Sequence, residues 1–211
     1  MLEIQLSEAG KRYQYEWIFK NLNLQIPPYI KLAVTGGNGS GKSTFLRCLS
    51  GQIPLTDGKL AFSFQDKPVP EDNYYQLLAI SAPYLELPEE FTLQELLEFH
   101  FKFKDKIQGL NIKEITEIMY LEQSLNKQIQ YFSSGMKQRL KLGLCFFSDV
   151  PLLLLDEPVS NLDNKGIAWY QGLVKDFGSH KTIIICSNDA REYNFCDQIL
   201  NIEDYKIKSG S

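Results

Sequence analysis

Hydrophobic residues in this chain recur in short runs of two different periods. Leu22, Leu24 and Ile26 alternate with polar neighbours, the period-2 pattern of a strand with one face buried, and the first 35 residues read as strands. Ile30 to Thr35 is a compact apolar run ending in a glycine-rich turn, which predicts a buried strand. From Lys42 to Leu49 the pattern turns helical, and Gly51 is placed to close that helix. Asp57-Gly58 predicts a turn between short strands, and Leu77 to Ser81 a further strand. Thr92 to Phe103 is aromatic-rich and helical, with Thr92 and Glu95 at capping-box spacing. Ile112 to Leu125 and Gly135 to Phe147 predict two more helices. Leu152 to Asp156 and Thr182 to Ser187 are continuous apolar runs, typical of parallel strands covered on both faces. Ile199 to Ile202 and Tyr205 to Lys208 suggest a terminal strand pair. The expected architecture is a mixed α/β core interrupted by a helical block over roughly residues 90–147.

The junction after the Ile30 strand carries the first chemistry. Gly36-Gly37-Asn38-Gly39-Ser40-Gly41-Lys42-Ser43 fits GxxxxGK[ST] and stands between a strand and a helix, the setting a phosphate-binding loop requires. Glycines let successive backbone N–H groups converge on phosphate oxygens without a Cβ in the way. The following helix turns its positive dipole end toward the same anion. Lys42 adds a point charge for the β- and γ-phosphates, Ser43 offers a hydroxyl to Mg²⁺, and Thr44 can reach a further phosphate oxygen. The run Leu152 to Leu155 then ends in Asp156-Glu157-Pro158, two acids at the carboxyl end of a predicted parallel strand, where ligands sit in open α/β sheets. Asp156 is a candidate Mg²⁺ ligand, through water, and Glu157 a candidate general base for an attacking water. A second run of small residues, Ser133-Ser134-Gly135, opens the helix that continues through Leu140, Leu144 and Phe147. It is either a plain helix cap or a second anion site, and the latter makes sense if it faces a phosphate held by another copy.

Composition narrows the setting. The chain has 211 residues, 44% of them hydrophobic, enough for one large domain or two packed subdomains. Its 22 basic and 26 acidic residues give a net charge of −4, which argues against nucleic acid bound on a basic face. No stretch approaches the ~18 consecutive apolar residues of a membrane span, and Met1 to Gly10 lacks the features of a signal peptide. Cys48, Cys145, Cys186 and Cys196 form no CxxC and have no histidine at metal-ligand spacing, so they are expected to be reduced packing residues in a cytosolic chain. Service to a membrane would then run through a partner.

With these motifs in place, the chain resembles the nucleotide-binding subunit of an ATP-binding cassette (ABC) transporter over nearly its whole length, residues 1–211 forming one such domain. The resemblance rests on the phosphate loop, the signature-like Phe132-Ser133-Ser134-Gly135-Met136, the Asp156-Glu157 pair, and Ser160-Asn161-Leu162-Asp163, which matches the family's D-loop. It implies a P-loop NTPase fold: a RecA-like α/β core, a small antiparallel β subdomain and an inserted helical subdomain. It also implies Mg²⁺-dependent ATP hydrolysis, with two ATP molecules sandwiched in a head-to-tail dimer of nucleotide-binding domains, homodimeric or with a paralogue. Ser133 and Gly135 of one copy would face the γ-phosphate held by the other. A separate transmembrane permease subunit would complete the transporter, placing this chain on the cytoplasmic, inner face of the cell membrane. The family's adenine-stacking aromatic matches Tyr13 in Lys11-Arg12-Tyr13, with Tyr15 as the alternative.

Three positions depart from the family pattern. Ser134 and Met136 replace the first glycine and the glutamine of the usual LSGGQ. The glutamine expected before the helical block falls near Pro83-Tyr84-Leu85, where none is present. The switch histidine after the Thr182 strand is replaced by Asn188, which can hydrogen-bond a phosphate but carries no charge. His100 and His180 do not match the switch position and are expected to be surface or packing residues. A P-loop kinase would lack the signature and D-loop matches. Cassette proteins of DNA repair need coiled-coil arms, and those acting on ribosomes usually carry two cassettes with basic extensions. A degenerate regulatory binder is suggested by Tyr84 and Asn188, but Lys42, Ser43, Asp156 and Glu157 are intact.

Overall fold

Alternating burial in the first strands builds one half of the molecule. The computed structural model describes residues 1–207, and Lys208 of the expected terminal strand lies outside them. Strands β1 (Leu2–Tyr13) and β2 (Glu16–Ile26) form a long antiparallel hairpin. Leu2, Ile4 and Leu6 of β1 point to one face, as period-2 alternation requires. β3 (Lys31–Thr35) leads into α1 (Lys42–Leu49), and β4 (Asp57–Phe64) and β5 (Lys67–Val69) complete a four-stranded sheet of order β2-β1-β4-β5.

The second sheet is parallel throughout. After β6 (Leu78–Ser81) come the helices α2 (Leu93–Phe103), α3 (Ile112–Ile118) and α4 (Ser134–Phe146). Then follow β7 (Leu152–Asp156), α5 (Asn164–Phe177), β8 (Thr182–Cys186), α6 (Ala190–Tyr193) and β9 (Gln198–Asn201). The order is β6-β7-β8-β3-β9, with the phosphate-loop strand β3 beside β8 and β8 beside β7. β7 and β8 are buried along their whole length. Their alternate residues separate the two halves of the core. Leu153, Leu155, Ile183 and Ile185 pack with Leu97, Ile115, Leu140 and Tyr170 of the helical side. Leu152, Leu154 and Ile184 pack with α1 and the antiparallel sheet. Burying one such Leu or Ile contributes about 1.5–3 kcal/mol, so this central sheet anchors both halves.

Several predicted elements change on folding. Asp57-Gly58 is no turn between strands: both residues lie in β4, where Gly58 (φ 77) sits so close to Glu8 that a Cβ would lie 2.3 Å from the Glu8 carbonyl oxygen. The left-handed freedom of glycine serves a bulge as well as a turn. The β4–β5 turn falls instead on Gln65-Asp66, both with positive φ. The helix predicted from Ile112 to Leu125 stops at Ile118, because Tyr120 is left-handed (φ 56) and the chain re-forms as a short 3₁₀ turn at Glu122–Ser124. After β9 the chain makes a 3₁₀ turn at Ile202–Tyr205, so among the described residues no strand that follows pairs with β9. The helix α5 lies where no element is predicted, although Trp169, Tyr170, Leu173 and Val174 repeat at helical spacing and are buried. Both capping residues Thr92 and Glu95 close their reciprocal bonds, as does the unpredicted pair Asn111 and Glu114. The four cysteines are free thiols, and burial raises those of Cys48, Cys145 and Cys186.

Candidate functional site: the carboxyl edge of the parallel sheet

The order β7-β8-β3 brings the ends of three strands to one edge of the sheet, and each delivers part of the expected site. From β3 the chain enters the loop Gly36 to Gly41, with Gly36, Gly39 and Gly41 all at positive φ. The turn is closed by Ser40 N–H donating to the Gly37 carbonyl at 3.0 Å. Gly41 is the tightest position: at φ 108 a Cβ would stand 2.2 Å from Ile18 Cγ2. Lys42 is buried to 6% exposure, and its ammonium donates to the carbonyls of Gly36 (2.7 Å) and Gly37 (3.0 Å), which hold it over the loop. Gly37, Asn38, Gly39 and Ser43 are exposed, with Thr44 half-buried behind Ser43.

The helix starts mark this loop out. α2, α3, α4, α5 and α6 each have a side-chain cap, from Thr92, Asn111, Ser133, Asp163 and Asp189. α1 has none, so its first N–H groups are left to an external acceptor. The Ser40 hydroxyl is fully buried in the same loop without a hydrogen-bond partner. An uncapped helix start, a buried unpaired hydroxyl and a buried ammonium together fit a phosphate group.

β7 delivers Asp156, 3% exposed, and the exposed Glu157. Burial raises the Asp156 pKa; the Ser43 hydroxyl beside it lowers it, Glu157 raises it and Lys42 lowers it. Ser43 and Asp156 are therefore neighbours, as a shared cation would require. Among the described residues no three acidic, histidine or cysteine side chains cluster into a protein-only metal cage. One carboxylate and one hydroxyl suit Mg²⁺ instead, which takes its other ligands from phosphates and water. Glu157 itself is left-handed, φ 46, and its N–H donates to the Cys186 carbonyl of β8 at 2.9 Å.

β8 delivers Asn188, whose side-chain amide donates to Asn38 Oδ1 of the phosphate loop at 3.1 Å across 150 positions of sequence. Asn188 thus stands against the phosphate loop. Tyr84, at the position where the family's glutamine is absent, lies under the Arg47 guanidinium at 5.6 Å from its ring centre. Its phenol is raised first by burial and then by the charge of Asp156, which places it beside the site.

The remaining expectations separate. A cavity of about 300 Å³ beside Gly39 and Ser40 is lined by Tyr15, Glu16, Trp17 and Ile18. Tyr13 does not line it; its ring lies 5.2 Å from the Lys11 ammonium instead. The hairpin geometry thus presents the alternative Tyr15, 96% exposed, to that cavity. Ser133 caps α4, accepting from Met136 N–H at 3.2 Å, and neither it nor Gly135 lines the cavity. Gly135 lies instead against the segment after β7: a Cβ on it would be 3.3 Å from the Asn161 carbonyl oxygen. Asp163 of that segment caps α5 by accepting from Gly166 N–H at 2.8 Å. His100 bonds Ser148 at 2.8 Å, and His180 packs edge-on to Tyr29; neither belongs to the site. Sequence reasoning missed Glu192, Gln138 and Ile18. They touch the site only through tertiary contacts, and no local spacing marks them.

A family model described as ABC transporter matches residues 19–160. The chain is 29% identical over 192 residues to the uncharacterized ABC transporter ATP-binding protein YcbN of Bacillus subtilis (strain 168), covering 88% of this chain and 61% of that protein. It is 31% identical over 193 residues to the lantibiotic transport ATP-binding protein SrtF of Streptococcus pyogenes, covering 89% of this chain and 80% of that protein. Among solved structures, a dimeric post-hydrolysis ATP-binding cassette bound to ADP and Pi has a similar fold, with a TM-score of 0.81 at 22% identity, covering 97% of this chain and 96% of that one.

Proposed function

We propose, from the premise that the chain belongs to the ABC transporter family, that it is the ATP-binding and ATP-hydrolysing subunit of a transporter. The observation that carries this reading is the convergence of Lys42-Ser43, Asp156-Glu157 and Asn188 at the ends of three adjacent parallel strands.

Each residue has a role set by its surroundings. The loop amides and the uncapped start of α1 bind the β- and γ-phosphates, and Lys42 neutralises their charge. Ser43 and Asp156 would hold Mg²⁺, which when bound supplies charge neutralisation across the phosphate oxygens. Glu157 accepts a proton from water as the water oxygen attacks the γ-phosphorus; the β–γ bridging oxygen leaves with its bonding electrons, giving ADP and phosphate. Asn188, held by Asn38, donates to the γ-phosphate end as a neutral amide. Tyr15 is better placed than Tyr13 to cover the base.

The start of α4, with Ser133 exposed and Gly135 half-buried, serves a second copy, whose nucleotide it completes head to tail. No helix among the described residues is long and apolar enough to cross a membrane. In this reading transport runs through a separate membrane subunit, and this chain works on the inner face of that membrane.

The test combines two variants. Glu157→Gln keeps ATP binding but slows turnover by about 10²–10⁴, and the variant converts from monomer to dimer with ATP in light scattering. Lys42→Ala weakens ATP binding at least about tenfold. A monomer at saturating ATP in both the wild type and Glu157→Gln would refute the sandwich, and unchanged affinity in Lys42→Ala would refute the loop's role.

A further inference from the structure

The segment that follows the general base is held at successive points. Glu157 adopts a left-handed backbone, φ 46, which a residue with a Cβ adopts only when its surroundings over-determine it. Its own N–H is held by the Cys186 carbonyl. The next carbonyl, of Pro158, accepts from the buried Gln138 side chain at 2.7 Å. The next N–H, of Val159, donates to Glu192 Oε1 at 2.7 Å in a buried, charge-assisted bond. Glu192 comes from α6, is 3% exposed, and also neighbours the Ser187 hydroxyl at the end of β8, one residue before Asn188. Its second oxygen, Oε2, is buried without a partner.

We propose that Glu192 is a positioning residue of the hydrolytic site, a buried carboxylate that ties the segment carrying Glu157 to the segment carrying Asn188 and so sets the base against the γ-phosphate end. The inference rests on the reading of the chain as an ATPase. A buried glutamate with one oxygen unpaired is a poor choice for stability alone, since desolvating the charge is costly. A placed acceptor between two catalytic segments explains it.

The charge neighbours of Glu192 are few. Glu157 and Asp189 face it and raise its pKa, Arg191 stands on the same helix turn paired to Asp189, and the Tyr170 hydroxyl donates to the Glu192 backbone carbonyl at 3.0 Å. Burial, the largest cause, and these acids raise the carboxyl to about 7. Around neutrality the side chain therefore passes from charged to neutral acceptor, and the bond to Val159 weakens as pH falls.

The experiment compares the wild type with Glu192→Ala and Glu192→Gln in steady-state ATPase assays from pH 6 to about 8.5, with nucleotide titrations in parallel. Glu192→Ala leaves the Val159 N–H unpaired and lowers kcat about tenfold or more, with ATP affinity within about twofold of the wild type. Glu192→Gln keeps only a neutral acceptor, so its kcat lies between those of the wild type and Glu192→Ala, near the low-pH limb of the wild type, and its kcat–pH profile lacks the wild-type inflection near 7. Retention of that inflection in Glu192→Gln, or a folded Glu192→Ala with wild-type kcat, overturns the inference. Should Glu192→Ala fail to fold, the Glu192→Gln profile decides alone. A wild type with no ATPase activity at all refutes the underlying reading instead, so the two failures are distinct.

Discussion

Replacing Gly41 with alanine tests whether the phosphate loop is held in shape by the hairpin behind it. Gly41 stands at φ 108, ψ 8 as the first residue before α1. A residue with a Cβ pays roughly 1–2 kcal/mol in the left-handed region. The added Cβ would also lie 2.2 Å from Ile18 Cγ2, far inside contact distance, and Ile18 is β-branched with little freedom at χ1. Overpacking of this kind costs typically about 1–3 kcal/mol. Together, Gly41→Ala is expected to destabilise the fold by about 2–5 kcal/mol, against a total stability of about 5–15 kcal/mol. The two causes are separable, because Ile18→Ala removes the clash but leaves the backbone strain. Urea unfolding of wild type, both single variants and the double variant forms a cycle. The double variant should be more stable than the sum of the singles predicts by about 1–3 kcal/mol, and ATP affinity should stay reduced in it because the loop is still strained. A Gly41→Ala protein within about 0.5 kcal/mol of wild type, or full additivity of the two changes, would refute the packing argument.

Asn188→His replaces a neutral donor with one that can carry charge, a difference of about 1 kcal/mol per bond, so turnover at saturating MgATP should rise about fivefold. Asn188→Ala, which also frees Asn38, should lower it; equal rates in all three proteins would remove Asn188 from the chemistry. The raised Glu192 carboxyl makes a stability prediction of its own. Because its pKa goes from the ordinary 4.5 to about 7 on folding, its contribution to stability is full below about 4.5 and is lost as pH rises through 7. Glu192→Gln should therefore be more stable than the wild type at pH 8, by up to about 3 kcal/mol, and lose that advantage near pH 4.5. Urea midpoints that differ equally at both pH values would contradict it.

The parts legible in the sequence are those whose physics is local. Gly36 to Ser43 is contiguous, so its glycines, its lysine and the helix after it declare a phosphate site without reference to the rest of the chain. The same holds for Asp156-Glu157 at the end of a fully apolar run, and for Thr92 and Glu95, whose capping bonds span three residues. The structure alone decided what depends on residues far apart in sequence. Strand order, not spacing, puts Asn188 against Asn38 and Glu192 against Val159. Tyr15 rather than Tyr13 lines the cavity beside the phosphate loop because Tyr15 stands in the hairpin turn after the left-handed Gln14 (φ 51), whereas Tyr13 is paired with Glu16 in the ladder. Gly58 serves a bulge rather than a turn because its neighbour is Glu8, fifty positions earlier in sequence. A left-handed glycine looks the same in both settings until its partner strand is known.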